Sequence, residues 1–129
     1  MREVIRTSEG PQPRGPYSQA IVADGFVFVA GQVPVNPSTN ELELGDIRSE
    51  TRRTLQNIKA ILEAAGSSLR EVVRVGVFLA DLKDLDGMNA VYKEFFNEDP
   101  PARATVGAQL PRIKVEIDCV ALVSRPRRS

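Results

Sequence analysis

Histidine is absent from the 129-residue sequence, and cysteine occurs once, at Cys119. The absence of histidine removes the most common general base and the most common metal ligand. With one cysteine, the chain can form neither an internal disulfide nor a Cys/His zinc site. A lone cysteine also fits a reducing compartment, so we expect a cytoplasmic protein.

An excess of charge of either sign is also missing. Seventeen basic residues balance seventeen acidic ones, so we expect no binding to nucleic acid or to membrane surfaces. The basic tail RPRRS (residues 125–129) is more often a solvated end than a binding arm. No apolar run approaches a membrane span, and the first ten residues lack the apolar region of a signal peptide. The length and the 42% hydrophobic content predict one globular domain, residues 1–129.

Two segments show the periodicity of amphipathic helices. The first has Asp46 as a candidate N-cap, apolar residues every three to four positions, and Gly66 just beyond its end. The second begins near Asp84 and is expected to end at Pro100 and Pro101. The sequence therefore predicts two helices separated by a strongly apolar segment.

The remaining regular segments read as strands. A short strand is expected near residues 4–7, and a hairpin over 18–33 turns at Asp24-Gly25. Residues 71–81 form a nearly continuous apolar strand, and two last strands, 103–109 and 114–123, are expected to form a hairpin closed at residues 110–112. This order predicts an α+β fold, a single mixed sheet with both helices on one face. We expect neighbouring subunits to bury the other face, which makes the protein a homo-oligomer.

Arg103 lies in the segment PPARATVGA (residues 100–108). Alternation along a strand places it on one face with Thr105 and Gly107, and the alanines on the other face. One interpretation is a solvated strand arginine. The other is a planar, permanently charged group that binds a carboxylate or phosphate through two parallel hydrogen bonds, for which the small neighbours leave room.

Glu116 lies in the last predicted strand, on a polar face with Lys114 and Asp118. The expected hairpin register brings Glu116 near Thr105 and Asp118 near Arg103. A cross-strand ion pair is one interpretation of this arrangement. The alternative is a carboxylate that orients or deprotonates water beside an anion-binding arginine.

Four other residues are candidates for roles of their own. Tyr17 follows a proline in an irregular segment, where it can cover the edge of the core or wall a small pocket. Gly31 indicates either a simple bulge or the close approach of another group. Asn89 beside the apolar stripe of the second helix suggests a hydrogen bond across an interface. Cys119 lies on an apolar face and is interpreted as a small buried hydrophobe.

The chain resembles the RidA family, also called YjgF, of reactive-intermediate enamine/imine deaminases. Matching motifs follow the family's order and spacing over nearly the whole chain: GPYSQA (15–20), AGQVPVNP (30–37), TLQNIKAILEAAG (54–66), VFLADLKD (77–84), MNAVYKEFF (88–96), PPARATV (100–106) and KVEIDCVAL (114–122). The resemblance implies a chorismate-mutase-like fold, assembled as a homotrimer with clefts between subunits. It also implies hydrolysis of 2-imino acids, such as iminopropanoate and iminobutanoate, to 2-keto acids and ammonia, without cofactor or metal.

The same resemblance assigns roles to residues at matching positions. Arg103 would hold the substrate carboxylate, and Glu116 would position the attacking water. The backbone of Thr105 would contact the imine nitrogen. Tyr17 and Gly31 would line the cleft from the neighbouring subunit, and Asn89 would support the cleft.

Three departures from the family pattern accompany this resemblance. Many deaminating members carry cysteine at the position of Thr105 and serine at the position of Ala30, so thiol chemistry is excluded and one pocket hydroxyl is missing. The stretch LPRIKVE (110–116) is one residue shorter than usual. Two other functions stay open. One is the endoribonuclease or translation-inhibitor activity attributed to some relatives; the other is a non-catalytic trimer that binds keto or imino acids.

Overall fold

The computed structural model describes residues 1–123, so the basic tail at 125–129 lies outside the described residues. Eight strands and two helices follow one another in the order β1 (Glu3–Ile5), β2 (Ala20–Ala23), β3 (Phe26–Gln32), β4 (Val35–Asn36), β5 (Glu41–Leu42), α1 (Ile47–Ala64), β6 (Val72–Leu79), α2 (Leu85–Phe95), β7 (Ala102–Gly107) and β8 (Val115–Leu122). Six strands form one sheet in the order β1-β2-β3-β8-β6-β7, while β4 and β5 form a separate small ladder. The predicted α+β class with a mixed sheet is confirmed.

Both ends of α1 follow the predicted signals. The side chain of Asp46 accepts a hydrogen bond from the Ser49 N–H at 2.8 Å, which satisfies one free donor of the first turn. Gly66, with φ of 82°, adopts the left-handed conformation just past the helix end. The β2–β3 hairpin also forms as predicted. Asp24 and Gly25 both have positive φ, of 56° and 83°, which gives a turn whose twist matches the paired strands.

The prediction for the end of α2 is wrong by several residues. This helix ends at Phe95, with Phe96 as its C-cap, well before Pro100. Asp99, with φ of 45°, and the two prolines belong to the connection that leads into β7. The prolines therefore restrict the approach to the strand and do not terminate the helix.

The predicted hairpin of the last two strands is also wrong. β8 lies between β3 and β6 and is antiparallel to both, whereas β7 pairs only with β6, in parallel. A parallel neighbour needs a crossover connection, and α2 supplies it between β6 and β7. The connection from β7 to β8 crosses the end of β6, where the Ala108 N–H donates to Leu79 O and the Ala80 N–H donates to Lys114 O. β6 thus lies inside the sheet, between β8 and β7, and most of its side chains are buried.

The core lies between one face of the sheet and the helices. α1 contacts β3 and β8, and α2 contacts α1. The main members of this core are buried side chains from both layers: Val27, Val29, Leu55, Ile58, Ile61, Leu62, Val75, Val77, Met88, Tyr92, Val115, Ile117, Cys119 and Ala121. Burial in β8 alternates as predicted, with Cys119 inside the core. Burial raises the pKa of the Cys119 thiol to about 12, consistent with a packing role.

The opposite face of the sheet, called the open face below, carries exposed apolar side chains. Phe28 and Val106 are each 47% exposed, and Phe26 and Leu122 lie in register across β3 and β8. Such a patch usually marks a contact with another molecule. Burial of this face by neighbouring subunits stays a prediction.

Glu50 is a fully buried carboxylate that joins α1 to β8. Its oxygens accept hydrogen bonds from the Gly45 N–H at 3.1 Å and the Lys114 N–H at 2.8 Å, and Lys114 Nζ lies 3.6 Å away. Hydrogen bonds to a charged acceptor contribute more than neutral ones, and their loss leaves buried donors unpaired. The residue therefore holds the entry into β8 against the first turn of α1.

Replacement of Glu50 by alanine is expected to lower the free energy of unfolding by about 3 kcal/mol, because two backbone donors lose their acceptor. Glutamine keeps one oxygen acceptor, so the free energy of unfolding should fall less in E50Q than in E50A. Urea denaturation monitored by circular dichroism measures both values. The control is Glu63→Ala, an exposed position on the same helix, which should change stability by less than about 0.5 kcal/mol. Equal stability of E50A and the wild type would show that these bonds contribute nothing.

Candidate functional site

Arg103 lies on the exposed edge strand β7, on the helix side of the sheet. Its register partner on β6 is Val75, which in turn pairs with the buried Cys119 of β8. The guanidinium carbon lies 4.7 Å from the centre of the Tyr92 ring on α2, a cation–π distance. No carboxylate among residues 1–123 forms an ion pair with Arg103. The side chain is thus held in place while its charge stays free for an anion.

Thr105 and Asn89 lie at the same edge of the molecule. Thr105 is two residues beyond Arg103 and shares its face of β7, in register with Val77. Asn89 precedes Tyr92 by three residues, so the two side chains share one flank of α2. A crossover helix between parallel strands runs opposite to them, and this topology places Asn89, in the first half of α2, toward the carboxyl end of β7 where Thr105 lies. These three residues, Arg103, Thr105 and Asn89, are called the edge cluster below.

Glu116 points to the open face from the middle of the sheet. Its register partner on β6 is Phe78, and a Cβ added to Gly31 of β3 would overlap its carboxylate. A register shift between Val29 and Gln32 also shows a bulge at this point. Both interpretations of Gly31 therefore apply, since the chain bulges there and another group approaches closely.

The surroundings of Glu116 favour its protonated form. Partial burial raises the pKa of its carboxyl group, and the negative charge of Asp118 raises it further. Asp118 pairs with Gly76 and faces the same side of the sheet. Glu116 is therefore a stronger proton acceptor than a fully solvated carboxylate.

Tyr17 stands beside Gly31 and Ala30. Its ring is half-exposed, and its hydroxyl accepts a hydrogen bond from the Arg14 N–H at 3.2 Å. With Gly31 it lines a narrow cleft, and with Ala30 and Phe28 it lines an open groove of about 430 Å³. Tyr17, Ala30, Gly31 and Glu116 are called the open-face cluster below.

The edge cluster and the open-face cluster do not meet within one chain. β6 separates β8 from β7, and Arg103 and Glu116 project from opposite faces of the sheet. The expected proximity of Glu116 to Thr105 and of Asp118 to Arg103 is therefore wrong, because it assumed that β7 and β8 are neighbours. The strand-helix-strand order of β6, α2 and β7 could have indicated the parallel pairing.

Tyr92 lies in the apolar stripe predicted for the second helix and is not among the candidate site residues of the sequence. The structure confirms its burial, at 5% exposure, and adds the contact with Arg103. Only the three-dimensional path of the crossover brings β7 over this helix, so no local sequence signal indicated the contact.

Within residues 1–123 no group of three or more Asp, Glu or Cys side chains is arranged to hold a metal ion. The same part of the chain has no helix that is long and apolar enough to cross a membrane.

Comparison with known proteins extends over nearly the whole chain. The family model described as endoribonuclease L-PSP matches residues 7–123. A RutC family protein from Pyrococcus horikoshii is 52% identical over 94% of this chain and 98% of its own length. A 2-iminobutanoate/2-iminopropanoate deaminase from Dermatophagoides farinae is 41% identical over 95% of this chain and 97% of its own length. The crystal structure of E. coli TdcF with bound serine superposes with a TM-score of 0.88, at 38% identity, covering 93% of this chain and 98% of that one.

Proposed function

Because this chain belongs to the RidA/YjgF family, the group covered by the endoribonuclease L-PSP model, we propose that it hydrolyses 2-imino acids to 2-keto acids and ammonia. The observation that carries the proposal is the guanidinium of Arg103, which lies over the Tyr92 ring and has no ion-pair partner among residues 1–123. An exposed planar cation suits the carboxylate of a short 2-imino or 2-keto acid. The lone cysteine supports the cytoplasm as its location.

We further propose that the site is completed between copies of the chain in a homotrimer. The exposed apolar side chains of the open face support association between subunits. Because the two clusters are separated within one chain, a second subunit is needed to bring an edge cluster and an open-face cluster into one site. The edge cluster of one subunit would bind the substrate carboxylate and the imine end. The open-face cluster of its neighbour would supply Glu116, with Tyr17, Ala30 and Gly31 as the wall of the cleft.

The proposed reaction needs little acid–base power, because a protonated imine is already a good electrophile. Glu116 accepts a proton as water oxygen bonds to C2, and the electrons of the C=N bond move to nitrogen. Glu116 then returns this proton to the nitrogen of the carbinolamine, and the C–N bond breaks with its electron pair going to ammonia. A lone pair of the hydroxyl oxygen forms the C2 carbonyl, and the hydroxyl proton passes to the departing ammonia, so the products are the 2-keto acid and ammonium and Glu116 is again a carboxylate. Arg103 holds the carboxylate throughout, so the main contribution of the protein is orientation. The backbone of Thr105 would contact the nitrogen, and Asn89 would support this side of the cleft.

A coupled assay tests the proposal. Threonine dehydratase generates 2-iminobutanoate in the cuvette, and the appearance of 2-ketobutanoate is followed with and without this protein. We expect 2-ketobutanoate to appear faster in the presence of this protein, at a rate that increases with protein concentration. If release is not accelerated while 2-ketobutanoate still binds, the protein is a ligand-binding trimer and not a deaminase. RNA cleavage by nuclease-free protein that disappears in Arg103→Ala would instead support the endoribonuclease alternative.

A further inference from the structure

The side chain of Arg103 has to be ordered if it is to hold a small carboxylate. It extends from an exposed edge strand, and a free arginine samples many rotamers. Each rotamer-rich side chain that becomes fixed on binding weakens affinity. A platform that holds the guanidinium before the ligand arrives removes part of this cost.

The Tyr92 ring has the properties of such a platform. It is almost completely buried and packs on the ring of Phe96, with the two centroids 4.7 Å apart and an interplanar angle of 40°. Both aromatic residues belong to the last turn and cap of α2, so the ring is fixed to the core. Arg103 lies over its free side at 4.7 Å, within the range of about 6 Å for a cation–π contact.

The hydroxyl of Tyr92 is the second observation. Its oxygen is buried and has no hydrogen-bond partner among residues 1–123. Burial raises the pKa of this phenol, while the charge of Arg103 and a polar contact with its guanidinium lower it. This contact does not meet the geometry of an ordinary hydrogen bond. A buried hydroxyl without a partner is unfavourable, and a phenylalanine would fill the same space without that cost.

We propose that Tyr92 is the positioning residue for Arg103: its ring sets the plane of the guanidinium, and its hydroxyl accepts the N–H that the bound carboxylate leaves unused. The proposal rests on the proposed role of Arg103 as the carboxylate-binding group. Arginine has five N–H donors and a carboxylate takes two of them, so a remaining donor is available to the Tyr92 hydroxyl when the carboxylate is bound.

Titration calorimetry with 2-ketobutanoate tests this inference. Tyr92→Leu removes the platform and should weaken binding by about three- to thirty-fold, the range of a partly desolvated cation–π contact. Tyr92→Phe keeps the ring and should recover most of this loss. In the coupled assay, Tyr92→Leu should raise KM more than it lowers kcat, because orientation of the carboxylate is affected before the chemistry. Phe95→Leu removes a neighbouring ring of α2 that forms no cation–π contact with Arg103 among residues 1–123, and serves as the matched control.

Nitrogen-15 relaxation of the Arg103 Nε–H separates positioning from a general loss of structure. The resonance is assigned by its absence in Arg103→Lys, and its order parameter should fall in Tyr92→Leu but not in Phe95→Leu. Unchanged order and unchanged affinity in Tyr92→Leu would overturn the inference while leaving the proposed function intact. If the wild type fails to bind 2-ketobutanoate, the proposed function fails, and the relaxation measurement still decides whether Tyr92 orders Arg103.

Discussion

Replacement of Arg103 by alanine is expected to weaken 2-ketobutanoate binding by about 100-fold or more. Two charge-assisted hydrogen bonds are lost, each contributing about 1.5–3 kcal/mol, and no other cation of the edge cluster can replace them. Arg103→Lys keeps the charge but not the planar pair of donors, so we expect an intermediate loss of about tenfold. Calorimetric titration measures both affinities.

The control for this result is Arg48→Ala. Arg48 is an exposed arginine in the first turn of α1, outside both clusters, and its removal changes the net charge by the same amount. Wild-type affinity in the Arg103→Ala variant would refute its role as the carboxylate-binding group. Equal weakening in both alanine variants would indicate an effect of overall charge, without a specific contact.

A mixture of Arg103→Ala and Glu116→Gln subunits is expected to regain deaminase activity that neither variant has alone. Removal of a positioned proton acceptor lowers turnover by about 100-fold or more, so Glu116→Gln homotrimers should be nearly inactive. If each cleft takes the edge cluster from one subunit and the open-face cluster from the next, random mixing leaves about a quarter of the clefts intact. The variants are mixed after mild unfolding and refolding, and activity is measured in the coupled assay.

Native mass spectrometry of the mixture should show trimers that contain both kinds of subunit. The control mixture combines Arg103→Ala with the double variant Arg103→Ala/Glu116→Gln, which contains no intact arginine and should stay inactive. Mixed trimers without recovered activity would mean that Arg103 and Glu116 do not act in one shared cleft. Because Arg103 and Glu116 project from opposite faces of the sheet in one subunit, they can share a cleft only if the cleft lies between two subunits.

Local signals in the sequence were sufficient for the parts of the fold that local chemistry controls. Asp46 and Gly66 delimit α1 because a helix end needs a side-chain acceptor at its start and a left-handed residue after its end. Asp24 and Gly25 locate a hairpin because their turn requires two residues with positive φ. These requirements are met within a few residues, so they can be read from the sequence.

The pairing of β7 could not be read in the same way. A hairpin with β8 satisfies the local alternation of polar and apolar residues just as well as the parallel pair with β6 does. The choice depends on β6, whose backbone pairs with β8 on one side and with β7 on the other. The error moved Glu116 onto the face of Arg103, which shows that predictions of site geometry depend on the order of strands more than on their positions in the chain.

The central position of β8 has a consequence for how the protein folds as it is synthesised. This strand joins β3 to β6, yet it is the last one described along the chain. During translation, the N-terminal hairpin and the β6–α2–β7 unit are complete before the strand that connects them. Because non-local pairing forms late, the two parts of the sheet stay unjoined until the ribosome has delivered β8. During that interval the edges of β3 and β6 that later pair with β8 are exposed, and unpaired strand edges favour aggregation.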